Sequence, residues 1–252
     1  MAIVFVHGNP ESEALWGPLL TELGRDDVVR LSPPGFGSPV PDGFGATVLD
    51  YRDWLIDELT KLGEPVHVIG HDWGGGHVVN VAMHRPDLLL SWTTDVLALF
   101  DPDYVWHDYA QILQTPGPGE DIVARLIDGT IEDRAARMAG LGLPADIATD
   151  VAAVQGPGMA RCMLALYRSA AQPAMAELGR DLEKAAARPG LSLIATADAY
   201  GAAHGEDLHR RAAARAGARV AVLDGLGHWW MVEDPKRGAD VIDAFLTEVG
   251  TG

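Results

Sequence analysis

Val66-His67-Val68-Ile69-Gly70-His71-Asp72-Trp73-Gly74-Gly75-Gly76 is the stretch around which the rest of the chain is organised. Val66 to Ile69 is a short apolar run that reads as a buried strand, and the small residues after Trp73 read as the start of a helix. The turn between them has the form G-x-D-x-G. Glycines flank the turn where side chains would collide with the neighbouring strand and helix. Its central residue points off the sheet at a helix N-terminus, where backbone N–H groups favour negative charge. A strand-to-helix turn of this form is a nucleophile elbow, and its usual serine is replaced here by Asp72. The plainer alternative is an aspartate that only caps a helix.

Outward from this turn, apolar runs alternate with helical patterns. Ile3 to Val6 and Val28 to Leu31 read as strands, and residues 46 to 62 repeat apolar positions at helical spacing. A helix after the elbow runs to about His84 and is stopped by Arg85-Pro86, and Leu88 to Leu97 reads as the next strand. From Phe100 to Arg188 only helical segments are expected. Strands resume at Leu191 to Thr196 and Val220 to Leu223, with a helix over 208–216 between them, and Asp234-Pro235 opens the last helix. The pattern predicts an α/β fold with a mostly parallel sheet of about six strands, residues 1–99 and 189–252 forming the core and 100–188 an inserted helical cap. In such sheets ligands bind beyond the carboxyl ends of the strands.

Composition narrows the function classes. The chain has 252 residues, 48% of them hydrophobic, enough for one large domain. A formal charge of −17 argues against nucleic acid and anionic membrane partners. A single cysteine, Cys162, excludes an internal disulfide and thiolate metal clusters. No run is long enough for a membrane span, and the first strand has no basic flank of a secretory signal, so a cytoplasmic protein is expected.

A carboxylate nucleophile needs a base and a group that orients the base. Of the nine histidines, His228 follows the last strand in a glycine-bounded loop on the same sheet edge as Asp72. His7 is expected to brace its loop, and His71 to point inward. Two acids compete as partner of His228. Asp198 follows the next-to-last strand and Asp95 precedes the cap. The chain order nucleophile, acid, base favours Asp198 and leaves Asp95 as the alternative.

These motifs resemble the α/β hydrolases with an aspartate nucleophile, the epoxide hydrolases and the related haloalkane dehalogenases. His7-Gly8-Asn9-Pro10 is similar to the oxyanion-hole motif H-G-x-P, Gly70 to Gly75 to the elbow G-H-D-W-G-G, and Tyr167-Arg168 to the Tyr-Arg pair of the epoxide hydrolase cap. The resemblance implies an oxyanion hole from the backbone of Asn9 and Trp73, proton donation to an opening epoxide by Tyr167, and no metal or organic cofactor. It also implies a small apolar substrate met by His7, Trp16, Phe36, Tyr109, Ile112 and Trp229, with water as co-substrate.

Two residues depart from the epoxide hydrolase pattern. Ile112 stands where the cap segment D-Y-x-x-Y-F-Q-x-P-G carries its second tyrosine, and Asn9 stands where an aromatic residue is usual. An asparagine there, with a tryptophan after the nucleophile, resembles the halide-binding pair of haloalkane dehalogenases. The chain also opens at what should be the family's third strand, so a short sheet is expected. Epoxide hydrolysis through an aspartyl ester is the first reading and dehalogenation the second. A receptor with a vestigial triad is the third.

Overall fold

The computed structural model describes residues 2–201 and 205–250. Six strands form one sheet: β1 Ile3–Val6, β2 Val28–Leu31, β3 Val66–Gly70, β4 Leu89–Thr94, β5 Gly190–Ala195 and β6 Ala218–Leu223. Their order is β2-β1-β3-β4-β5-β6, and every pairing is parallel. The chain steps outward from β1 to β2 and then returns to the other side of β1 to place β3. The switch point of the sheet therefore lies between β1 and β3, where ligand crevices form in such sheets. Register pairs Val6 with Gly70, so the loops after both strands leave the sheet side by side.

Helices cover both faces, as a parallel sheet requires. On the core are α1 Gly17–Leu23, α2 Val48–Lys61 and α3 Trp73–His84. Between β4 and β5 come α4 Asp108–Gln114, α5 Pro118–Ile127, α6 Ile131–Gly140, α7 Ala145–Val154, α8 Pro157–Ser169 and α9 Ala174–Leu178. The chain closes with α10 Glu206–Arg215, α11 Trp230–Glu233 and α12 Pro235–Gly250. Strand side chains alternate between faces: Val4, Val6, Val66 and Val68 join one apolar cluster with α2 and α3, while Ile3, Phe5 and Ile69 join another with Leu19 of α1 and Ile242 and Phe245 of α12. Thr47 caps α2 in a reciprocal box, its hydroxyl accepting the Asp50 N–H and Asp50 accepting the Thr47 N–H, worth about 1 kcal/mol.

The expected strand over Leu88 to Leu97 is shorter: β4 ends at Thr94, and a 3-10 turn, Leu97–Phe100, follows. Val96 to Phe100 are apolar because they are buried, not because they extend the ladder. Pro118 and Pro157 open α5 and α8 at first-turn positions, where a missing N–H costs no helical bond. No helix among the described residues is long and apolar enough to cross a membrane.

Candidate active site

The elbow between β3 and α3 holds Asp72 at φ 49° and ψ −129°, a left-handed backbone that a non-glycine residue adopts at a cost of about 1–3 kcal/mol. The surroundings hold it there. His71 N–H donates to the Val6 carbonyl at 3.0 Å, Asp72 N–H to Asp95 Oδ1 at 2.9 Å, and Gly76 N–H to the Asp72 carbonyl at 3.1 Å. A Cβ on Gly74 would overlap the Val6 carbonyl, and one on Gly8 would overlap the Asp72 carboxylate. Because β1 lies beside β3, Asn9 donates its backbone N–H to Asp72 Oδ1 at 3.0 Å. Burial raises the Asp72 carboxyl to about 6, with Glu11 adding to the rise while His228, His71 and the Trp73 backbone N–H act against it.

His228 leaves the loop after β6 and meets the loop after β5. Its Nδ1 lies 3.0 Å from Asp198 Oδ2, and Asp198 Oδ1 accepts the Tyr200 N–H at 2.7 Å. Burial, the largest single effect, would raise Asp198, but the bond and charge of His228 together with the Tyr200 and Gly201 backbone N–H groups bring it down to about 2. Burial opposes the charged form of His228, and Asp198 reverses the effect, raising its pKa. The second nitrogen of His228, Nε2, lies 3.8 Å from Glu11 Oε1.

Asp95 does not reach His228. It accepts from the Asp72 N–H, from Trp230 Nε1 at 2.8 Å, and lies 2.5 Å from His71 Nδ1. The other ring nitrogen of His71 meets Glu11 Oε1 at 3.1 Å. Burial disfavours a charged His71, yet Glu11 and Asp95 on its two sides raise its pKa well above the usual value. Glu11 is fully buried and also accepts from Trp229 Nε1 at 2.7 Å and the Gly8 N–H at 3.1 Å. Burial would raise its carboxyl, but His71 and then His228 hold it near 2. Glu11 was missed in the sequence because a glutamate in a loop after a strand reads as solvated. Its available signal was its place four residues after His7, within the turn that faces the elbow.

Asp72 and His228 line one cavity of about 230 Å³. The phenols of Tyr109, Tyr167 and Tyr200 also line it, and Leu126, Met138 and Leu141 from α5, α6 and the turn after α6 give it an apolar wall. Tyr167 sits edge-on to the Trp73 ring, centroids 5.3 Å apart. Of the residues expected to meet substrate, Tyr109 and Trp229 line this cavity. Four do not. His7 is buried and tied to the Gly8 carbonyl at 2.8 Å and Ser32 Oγ at 3.1 Å. Trp16 packs within the core against Phe5, His71 and Trp230, and Phe36 against Tyr51, so their apolar bulk fills the core. Ile112 is 38% exposed, because α4 turns Ala110 and Leu113 inward and leaves position 112 outward. Arg168 pairs with Glu120 at 2.8 Å and ties α8 to α5. Tyr200 and the apolar wall had no recognisable sequence signal.

Asn9 lines the cavity, and both polar atoms of its side chain are buried without a hydrogen-bond partner. Glu11, His71 and His228 offer three ligand atoms within 4.8 Å of one another. Both ring nitrogens of His71 are already engaged, Nδ1 by Asp95 and Nε2 by Glu11. The arrangement otherwise offers a buried carboxylate with one oxygen bound by the Asn9 N–H, and an imidazole held by an acid.

A family model described as the alpha/beta hydrolase family matches residues 3–241. The chain belongs to the alpha/beta hydrolase family. Among its relatives this hydrolase is similar to a Mycobacterium tuberculosis protein described as a probable oxidoreductase, EphD, at 45% identity over 80 residues, which are 29% of this chain and 13% of that protein. It is also similar to a haloalkane dehalogenase of Mycolicibacterium smegmatis at 43% identity over 83 residues, 29% of this chain and 26% of that one. The matched part thus spans about an eighth to a quarter of those relatives' lengths. The crystal structure of the haloalkane dehalogenase DbeA from Bradyrhizobium elkani superposes on this hydrolase with a TM-score of 0.72 at 20% identity, covering 99% of this chain and 91% of that one. At that identity the likeness speaks for the fold.

Proposed function

We propose that this hydrolase opens epoxides to vicinal diols through an ester on Asp72, with residues 100–188 as a cap over the site. The observation that carries the reading is the Asn9 N–H bound to Asp72 Oδ1 at 3.0 Å. In a site built for acyl substrates, an N–H at this position waits for the substrate's oxygen. Here it holds the chain's own carboxylate, so that the oxyanion forms on Asp72 itself. The other carboxylate oxygen attacks a saturated carbon in line and the ring C–O bond breaks. Tyr167 gives the departing oxygen a proton, since burial raises its pKa well above the usual value and keeps the phenol neutral. His228, oriented by Asp198, then takes a proton from water. The water oxygen attacks the ester carbonyl, the negative charge on Oδ1 rests on the N–H groups of Asn9 and Trp73, and the acyl–oxygen bond breaks as His228 passes its proton to the departing diol, while the second proton of the water restores Tyr167.

One observation favours a second reading, hydrolytic dehalogenation. The Asn9 amide faces the cavity with no protein partner, a donor suited to a departing halide, and a relative is described as a haloalkane dehalogenase. A receptor role is disfavoured by the bond between His228 and Asp198, which a binding protein has no need to keep.

The test is a trap. His228→Gln leaves alkylation possible and stalls hydrolysis of the ester. Incubated with styrene oxide, that variant is expected to carry an adduct on the peptide containing Asp72, seen by mass spectrometry. A peptide that stays unmodified, while the parent turns the epoxide over, rejects the mechanism.

A further inference from the structure

The cavity over Asp72 is small. Its volume of about 230 Å³ falls below the roughly 300–1,000 Å³ usual for ligand sites, and equals the room of about eight waters at roughly 30 Å³ each. Packed at interior density, a molecule of about ten non-hydrogen atoms fills it. Its aliphatic lining is gathered in consecutive parts of the chain: Leu126 on α5, Met138 on α6 and Leu141 in the turn after it. Met138 is buried and joins one apolar cluster with Leu143, Ile147, Ala148 and Val151. Its carbonyl accepts the N–H groups of Leu141 at 3.1 Å and Leu143 at 3.3 Å, which anchors the turn. Gly142 at φ 116° reverses the chain there. Leu141 is 59% exposed and still lines the cavity, so it stands at the mouth. No lysine or arginine is among the described residues that line the cavity. Of the histidines there, His107 accepts the Ala110 N–H on Nδ1 at 3.2 Å, and His228 is turned to Asp198.

We propose that this site takes small, uncharged epoxides with a single apolar substituent, and that Met138 and Leu141 are the specificity-determining residues that exclude larger ones. The inference rests on the epoxide-opening reading above. The substituent lies against Leu126, Met138 and Leu141, while the three-membered ring stands between the Asp72 carboxylate and the Tyr167 hydroxyl. A second aryl group on the other ring carbon exceeds the volume and needs the space that Met138 fills. A carboxylate on the substituent would bring a second negative charge into the cavity beside Asp72, against an aliphatic wall and with no cation to meet it. His228 cannot serve as that cation, because it has to stay neutral to act as the base. The chain's formal charge of −17 opposes the approach of an anion as well.

The experiment compares kcat/KM for styrene oxide, trans-stilbene oxide and styrene oxide carrying a para-carboxylate, in the parent, Met138→Ala and Leu141→Ala. The parent is expected to prefer styrene oxide to each of the other two by about 100-fold or more. Met138→Ala opens the wall and is expected to raise the ratio of trans-stilbene oxide to styrene oxide by about 10–200-fold. A residue that only packs would lower both substrates alike and leave their ratio unchanged. Leu141→Ala alters an exposed side chain that the fold does not need, and is expected to move the ratio in the same direction by a smaller factor. A parent that turns over trans-stilbene oxide or the carboxylate as well as styrene oxide overturns the inference and leaves the epoxide reading standing. A ratio that stays at the parent value in both variants overturns it too. A parent that hydrolyses 1-chlorobutane and none of the epoxides overturns the functional reading, and this inference with it.

Discussion

His71 Nδ1 lies 2.5 Å from Asp95 Oδ2, and the same carboxylate oxygen accepts the Trp230 indole N–H. Asp95 is thereby engaged inside the elbow, 23 residues along the chain from Asp72, whose backbone it binds. The acid that faces His228 is Asp198.

The two acids are therefore expected to fail differently. Asp198→Asn should lose about 10⁴ in kcat/KM, because it removes the orientation of the His228 imidazole, and should lower stability by about 2 kcal/mol, the contribution at neutral pH of a carboxyl held near 2. Asp95→Asn should lower stability by about 3 kcal/mol, since it leaves a buried charged histidine short of a partner. Urea denaturation beside steady-state kinetics reads both. A folded Asp95→Asn variant with the larger catalytic loss would return the orienting role to Asp95.

Tyr167 and Asn9 divide the two chemistries. Tyr167→Phe is expected to slow epoxide turnover by about 10²–10³-fold and to leave a chloroalkane rate nearly untouched, because halide departs without a proton. Asn9→Ala keeps the backbone N–H and strips only the amide, so it should weaken dehalogenation and spare ring opening. Both variants are assayed on styrene oxide and 1-chlorobutane under one set of conditions. Epoxide turnover at the parent rate in Tyr167→Phe removes that phenol from the mechanism.

Asp72 ties activity to a stability cost. Its carboxyl ionises at about 6 in the folded chain, against an ordinary value of 3.8, chiefly because burial disfavours the charge. The folded state therefore binds this proton more tightly than the unfolded state. Stability from this group falls as pH rises from about 4 to about 6 and stays lower above it, by on the order of 3 kcal/mol. Asp72→Asn cannot ionise and tolerates a positive φ. It is expected to unfold at a higher temperature than the parent at pH 7.5, with the difference vanishing near pH 4. Equal melting temperatures across that range would mean the folded chain ionises Asp72 at no cost. On the proposed mechanism, alkylation by the parent should also decline as pH drops through about 6, where Asp72 becomes protonated.

Much of this site was legible before any fold was known, because its geometry is written locally. Gly70 and Gly74 mark a turn that nothing larger fits, and the order of Asp72, Asp198 and His228 follows the order of the strands that carry them. What escaped depends on neighbours distant in sequence. Glu11 acquires its meaning only when β1 lies beside β3 and brings it against His71. Trp16 and Phe36 stand in loops and helices near the catalytic edge, yet large aromatic residues fill cores as readily as they line cavities. Position 112 matched a cap motif in line, but the direction of its side chain was decided by which face of α4 packs on α5 and α8.

The parallel sheet with every loop of the candidate site on one edge carries a consequence for how that site is assembled. Asn9, Asp72, Asp198 and His228 follow four different strands, and Asn9 and His228 stand at opposite ends of the sequence. No fragment of intermediate length holds Asp72, the Asn9 N–H and His228 together. Non-local pairings form late, since the entropy of closing long loops comes before the contacts that reward it. Regain of turnover on refolding should then lag the regain of helical signal, and serve as a clock for the last docking event.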